Sequence, residues 1–509
     1  LFRSIDFDSQ FDESCQHLPL LSNLSYIMAV QSIIESLFED FENVPVFHVA
    51  LEVVLLMLVI WLVMRKSYNP NDNQELTDKE KQTLIDEWIP EPLVPQNEKY
   101  SAKYDKVVSG KFGRYIEINN FVCINFAVHN YLCMNENKNV IDAAAECLET
   151  YGMGSCGPRG FYGTTEIHLK MEKKLSDFMN CEEAVLYSYG SATISSVIPA
   201  YCKRGDVIFV DERVHFGIQK GLLASRSQIK YFRHNDVDHL EELLKEQAES
   251  DAKNPKKARV TRKFLVIEGI YQNLGDICLL PELVALKNRY KIRLFVDETI
   301  SFGVLGKTGR GVFEHFEIDV SEADLISGSL EHALGSIGGF TVGSTFIEDH
   351  QRLSALGYIF SASLPPMLAA GGLCALEEIE KFPTLIHSLH DACCMVHEAL
   401  LSLNHLETPS APLSPVKHLL LKSHLRASWE EDYSFLKKVV QKCLMNKIAV
   451  ALSSYLNSEE HILPQPSIKV IVNNKLDRSE VDKLVEVLQV HVVPFYTPEN
   501  IHKAPSLAK

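Results

Sequence analysis

Apolar residues are spaced in three different ways along this chain, and each spacing predicts a different element. Val46 to Met64 is one apolar run, broken only by His48 and Glu52. As a helix it would rise about 28 Å, close to the roughly 30 Å hydrocarbon core of a bilayer. The run therefore predicts a single membrane-spanning helix, with a buried core helix as the alternative. Pro45 opens it, and Trp61, Arg65 and Lys66 sit at its far end, where interfacial anchors belong. Glu52 falls in the second turn, near one interface, where a charge costs less than at the centre. The shorter runs Val207–Val210, Phe264–Ile267 and Leu294–Val296 do not alternate with polar residues, the pattern of strands buried on both faces. Helical spacing separates them at Thr165–Met179, Val237–Gln247 and Glu282–Tyr290. This alternation predicts an α/β fold built on a mostly parallel sheet with helices on both faces. From Met367 the pattern changes to helix with a few strands, Ile468–Val472 and then a helix from Ser479, which predicts a smaller α+β domain.

The expected organisation is a short segment at 28–45, the span at 46–64, a connector at 65–100, a large domain at 101–366, a small domain at 367–495 and a tail at 496–509. Residues 1–27 precede the first methionine, are polar and irregular, and stay outside the fold argument. Arg65, Lys66, Lys79 and Lys81 follow the span, whereas Met28 to Pro45 carries only the acids Glu35, Glu39, Asp40 and Glu42. Cationic flanks stay on the cytoplasmic side, so the main body is expected in the cytoplasm and the short N-terminal piece across the membrane. In the connector, Thr77 with Glu80 is a capping-box signal for a short helix, which Pro90, Pro92 and Pro95 then stop.

Composition narrows the function. A formal charge of −17 argues against broad nucleic-acid binding. Twelve cysteines are scattered without a C-x-x-C pair or a histidine cluster at ligand spacing, so neither a metal site nor a disulfide framework is expected.

Five constellations carry candidate chemistry. Between Tyr151 and Thr164, four glycines fall within the nine residues from Gly152 to Gly160, forming a loop with close backbone approaches that is either a phosphate cradle or a tight turn. His215 follows a strand that ends in Asp211; it would stack on a flat cofactor or simply pack. Asp297 ends the next acid-tipped strand and would pair with a protonated pyridine nitrogen or cap its turn. The fourth is the loop from Leu325 to Gly339, which contains Ser329-Leu330-Glu331-His332-Ala333. The fifth is the hydroxyl-rich turn Phe360-Ser361-Ala362-Ser363 with Pro365 and Pro366.

Their order and spacing, with Val128-His-Asn-Tyr131, His168, His234-Asn-Asp236 and Gly303-Val-Leu-Gly306, resemble the α-oxoamine synthases from about Lys111 to Pro366. The resemblance implies the fold-type I architecture of pyridoxal-phosphate transferases: a large cofactor domain, a smaller C-terminal domain and an obligate dimer. Within that family it is to the lysine-less, membrane-anchored subunit of two-subunit members that condense L-serine with palmitoyl-CoA in the endoplasmic reticulum. The position of the cofactor-binding lysine is His332, and an imidazole has no primary amine to form the imine. Pyridoxal phosphate is therefore expected on a lysine-bearing partner subunit. Asp297 maps to the partner of the ring nitrogen and His215 to the stacking histidine, while the family's second histidine falls at Ile300 and is lost. The retained pair leaves weak, noncovalent cofactor binding open. Ser361 is expected to reach the partner's cofactor phosphate, and Cys156, Arg159 and Tyr162 to shape the partner's pocket, with packing as the alternative for Cys156. Two other readings remain at this point: a scaffold without a catalytic pocket, and a self-sufficient synthase, for which the nearest upstream lysine is Lys307.

Overall fold

The computed structural model describes residues 46–64, 77–90, 106–456 and 459–492. The segments expected at 1–27, 28–45 and 496–509, and most of the connector, lie outside the described residues. The chain divides into two units, Leu1–Ala102 and Lys103–Lys509.

In the second unit the chain first forms β1 (Val108–Ser109), β2 (Tyr115–Ile118) and β3 (Phe121–Phe126), then β4 (Glu183–Tyr187), β5 (Val207–Asp211), β6 (Gln228–Phe232), β7 (Lys263–Glu268), β8 (Arg293–Asp297), β9 (Leu325–Ser329) and β10 (Gly339–Gly343). It ends with β11 (Leu406–Glu407), β12 (Val416–Leu421), β13 (Ile448–Leu452) and β14 (Ile468–Ile471).

The larger domain is a sheet in the order β4-β10-β9-β8-β7-β5-β6. Its strands from β9 through β6 run parallel, and β10 is antiparallel to both neighbours, β9 and β4. The three strands read from unalternated apolar runs are its centre, and Phe209, Phe264 and Phe295 on them are fully buried. Burying each such ring stabilises by about 1.5–3 kcal/mol. Because β5, β7 and β8 are parallel neighbours, their acidic last residues Asp211, Glu268 and Asp297 emerge at one edge, with Glu268 in register with Asp297. The helices expected at Thr165–Met179, Val237–Gln247 and Glu282–Tyr290 appear as Glu166–Met179, Val237–Lys253 and Leu280–Tyr290.

The second sheet runs β1-β2-β3-β13-β14-β12-β11 and corrects one expected boundary. Residues 101–366 were assigned to one domain, yet β1 to β3 belong to the C-terminal sheet. The join is a parallel ladder in which Ile448 pairs with Ile124 and Val450 with Phe126. A hydrogen-bond ladder between segments more than 300 residues apart leaves no local sequence signal, which is why the boundary was misplaced.

In the first unit, Val46–Met64 is a 19-residue helix, and the apolar side chains from Leu51 to Met64 along it are exposed. Among the described residues no helix is long and apolar enough to cross a membrane; the side chains of Val46, His48 and Val49, in the first turn of this helix, lie outside them. The helix Asp78–Glu87 has the capping box expected of Thr77 and Glu80.

Candidate functional site

A cavity of about 610 Å³ opens at the carboxyl edge of the large sheet, lined by His215, Thr299, Ser329, Glu331, His332, His418, Lys220 and Lys469 among others. Ligands of open α/β sheets bind at this edge. His332 follows β9 and faces the cavity. Its ring lies 4.5 Å from that of His129, and His129 Nδ1 is 2.7 Å from the Tyr131 hydroxyl. Burial pulls the His332 imidazole down to about 4 and His418 down to about 3. Both rings are therefore neutral near pH 7.

His215 and Asp297, expected as vestigial cofactor ligands, are bonded to each other. His215 Nε2 donates to Asp297 Oδ2 at 2.8 Å. The other carboxylate oxygen accepts from Thr299 N at 2.9 Å and Thr299 Oγ1 at 2.5 Å. The His215 backbone N–H donates to Glu268 Oε1 at 2.7 Å, and the Gly217 N–H meets His215 Nδ1 at 3.1 Å. Burial alone would lower the His215 pKa; the Glu268 charge and the bond to Asp297 outweigh it and raise it to about 9. The Gly217 contact favours the neutral ring and the carboxylates favour the cation, but in both forms Nε2 keeps its proton toward Asp297. Glu268 is itself raised by burial, to about 7.

Pyridoxal phosphate in the family's manner does not fit these residues. There is no amine at His332, and both oxygens of Asp297 already have partners within the chain. The lysine considered for a self-sufficient synthase, Lys307, is exposed and paired with Glu317 at 3.2 Å. Two amines line the cavity: Lys220, which is paired with Glu459, and Lys469 on β14, held below the usual lysine range by burial.

The glycine-rich loop and the hydroxyl-rich turn form one assembly. Ser363 N donates to Gly157 O at 3.0 Å, and Ser363 Oγ donates to Gly163 O at 2.6 Å and also bonds Ser155. A Cβ at Gly163 would stand 2.1 Å from Gly157 O, so only glycine fits there. His168 joins the two from behind, accepting from Thr165 N at Nδ1 (3.1 Å) and donating from Nε2 to Leu364 O (2.6 Å).

The expected partner-pocket residues divide. Cys156 and Tyr162 both hold positive φ, at 58° and 66°, and both are exposed. Arg159 turns inward: its guanidinium grips Glu172 through two bonds of 2.8 and 2.9 Å, Nε bonds Thr164 Oγ1 at 3.0 Å, and both members of the pair are buried. Within this chain Arg159 is a clamp on the loop rather than a group presented to a neighbour. Ser361 donates to Gly357 O at 2.6 Å, beside the exposed Phe360.

The sequence reading missed Glu268, Glu331, His129, His418 and Lys469. Glu331 and His129 lay inside quoted motifs but carried no signal of their own. Lys469 sits on a strand some 137 positions beyond His332, and only the sheet brings it to the cavity.

A family model described as aminotransferase class I and II matches residues 122–488. The chain is 39% identical over 445 residues to "Serine palmitoyltransferase 1" of Dictyostelium discoideum, covering 86% of this chain and 92% of that protein. It is 37% identical over 442 residues to "Long chain base biosynthesis protein 1" of Arabidopsis thaliana, covering 87% and 90%. Among solved structures, a serine palmitoyltransferase of Sphingomonas wittichii superposes with a TM-score of 0.67 at 24% identity, covering 81% of this chain and 95% of that one. An 8-amino-7-oxononanoate synthase of Francisella tularensis superposes with a TM-score of 0.60 at 22% identity, covering 73% and 98%. These two likenesses establish the fold.

Proposed function

We propose the function from one premise: this chain belongs to the class I and II aminotransferases, in the group of serine palmitoyltransferase 1 and long chain base biosynthesis protein 1. It acts as a subunit of serine palmitoyltransferase, the acyltransferase that opens sphingolipid synthesis. The reaction joins the α-carbon of L-serine to the carbonyl carbon of palmitoyl-CoA, releases CoA and CO₂, and leaves 3-ketosphinganine. Pyridoxal phosphate supplies the electron sink that makes the serine α-carbon nucleophilic.

In this reading the chain is the noncatalytic member of a heterodimer, and a lysine-bearing subunit 2 holds the cofactor. The observation that carries it is the state of the pocket: imidazole at His332, and Asp297 already bonded to His215. The chain's contribution is the assembly made by the glycine-rich loop and the Ser361 turn. Cys156 and Tyr162 are exposed and Ser361 half-buried beside the exposed Phe360; a partner's pocket would meet the assembly at these residues, with Ser361 toward the partner's cofactor phosphate. Arg159 keeps the loop in shape from beneath.

The exposed apolar helix Val46–Met64 is proposed as a single membrane span. It would set the enzyme in the endoplasmic reticulum membrane with the body in the cytoplasm and the short N-terminal piece lumenal. Its length and the basic residues that follow support this, and it would keep the enzyme where a long-chain acyl-CoA and a lipid product partition.

The test is reconstitution. This chain and a lysine-bearing subunit 2 are purified singly and together, and 3-ketosphinganine formation is followed. Activity only in the mixture supports the proposal. A partner fully active alone would leave this chain a scaffold, and product from this chain alone would make it a self-sufficient synthase.

A further inference from the structure

We infer that Glu331 occupies, from within this chain, the seat that a phosphate group would take, so that the cavity beside His332 rejects phosphorylated ligands for a reason separate from the missing amine. The inference rests on the reading of this chain as the cofactor-free subunit and explains how its pocket stands without a ligand.

The helix Gly190–Tyr201 begins at the cavity, which Gly190, Ser191 and Ala192 line together with Ser329, Glu331 and His332. Its N-cap residue, Tyr189, makes no side-chain capping bond, and its first turn contains no acid. An uncapped N-terminus of a helix this long offers free N–H groups and a partial positive charge, which together favour an anion. The anion supplied here is a carboxylate from a different element: Glu331 Oε1 accepts from Gly190 N at 3.3 Å.

The surroundings hold that carboxylate in place. The Glu331 N–H donates to Ser329 Oγ at 3.1 Å, which fixes the backbone from which the side chain reaches. Gly190 makes room for the approach, since a Cβ there would lie 2.8 Å from Ser329 Oγ and 3.1 Å from Glu331 Oε1. A phosphate arriving at this seat would have to displace Glu331 and then face its charge. Glu460 adds a second carboxylate to the lining, and the nearby Lys220 is already paired with Glu459. The two polar ends of a phosphorylated pyridine are therefore both answered from within the chain, Asp297 by His215 and the helix N-terminus by Glu331. A pocket whose polar groups satisfy one another needs no ligand to remain folded.

The experiment compares the full-length chain, purified with whatever subunits accompany it, with its Glu331→Ser and Glu331→Gln variants. Inorganic phosphate is titrated calorimetrically. Pyridoxal phosphate is counted per chain after borohydride, which fixes only cofactor held on a lysine; taking the difference between variant and wild type removes any partner's share. The wild type should show no phosphate site attributable to this chain. Glu331→Ser should gain one, with affinity at least tenfold above any weak binding by the wild type, and with no pyridoxal phosphate fixed to this chain by borohydride. Glu331→Gln, which keeps the size and loses the charge, should fall between and decides the matter if the serine variant melts early. Equal binding by the wild type and both variants overturns the inference, as does a phosphate already held at this seat in the wild type. Condensation activity tests the proposed function and not this inference, so the two can fail separately.

Discussion

His215 Nε2 lies 2.8 Å from Asp297 Oδ2, joining the turn after β5 directly to the end of β8. An acid at that strand end could neutralise a bound pyridinium, and a histidine after β5 could cover the ring. Here each is the other's partner, and Thr299 takes the remaining carboxylate oxygen. Asp297 is buried and His215 half-buried, and the low local polarity strengthens their attraction. The pair is a strut that crosses over β7 to tie the turn after β5 to the end of β8.

Acid sensitivity follows from the neutral imidazoles beside that strut. Burial lowers His332 to about 4, below the roughly 6.5 of an unfolded histidine. Its neighbours are His129, Lys469, Asp297 and His215. Because the folded value is the lower one, the stability tied to the neutral ring is whole above pH about 6.5 and is lost as pH falls through about 4. His332→Asn should flatten that acid limb by about one proton's worth of slope, read from urea midpoints between pH 4 and 7. An unchanged slope would place the proton uptake elsewhere.

The clamp beneath the glycine-rich loop should behave as a buried ion pair. Glu172→Ala leaves the Arg159 guanidinium buried without its carboxylate and should cost about 3–5 kcal/mol in denaturant unfolding. Arg159→Met with Glu172→Leu should recover most of that loss, since two apolar side chains of similar size leave no stranded charge. A double variant as unstable as the single one would contradict this account of the loop.

Ser363 is the bolt between loop and turn. Ser363→Ala removes the Oγ bonds to Gly163 O and Ser155 while leaving the bond from its backbone N–H. The expected cost is about 1–2 kcal/mol in stability. In the assembled enzyme the rate should fall more than stability does, because the loop edge carrying Cys156 and Tyr162 is displaced. Measuring kcat and the unfolding midpoint on the same preparation separates the two effects.

Leu55 is midway along the helix Val46–Met64 and exposed. If the helix spans a bilayer, Leu55→Arg places a charge near the membrane centre at a cost of about 2.5–3.5 kcal/mol. The variant should shift from the carbonate-resistant membrane fraction toward the soluble or degraded pool. An unaltered distribution would remove the proposed span.

Much of this was legible in the chain because it depended on neighbours in sequence. The central strands, the helices between them and the capping box at Thr77 and Glu80 follow from local pattern, whereas His332 stands out as a substitution only through the family resemblance. What was hidden depended on partners far along the chain. The pairing of β3 with β13 sets the domain boundary, and β14 carries Lys469 into the cavity. Arg159 is offered to the partner's pocket only by the family resemblance, which sets the glycine-rich loop near a shared site; within this chain Glu172, 13 residues on, turns the side chain inward. Glu331 was in view beside His332, but its role requires the helix that starts 141 residues earlier at Gly190.

The central claim is that the cofactor's amine comes from another chain, and the most direct measurement is to locate the reduced cofactor. The assembled enzyme is treated with borohydride, digested, and its peptides weighed. The account predicts a pyridoxyl group on a lysine of the partner subunit and none on this chain. A pyridoxyl group on any lysine of this chain, Lys469 above all because it faces the cavity, would contradict it.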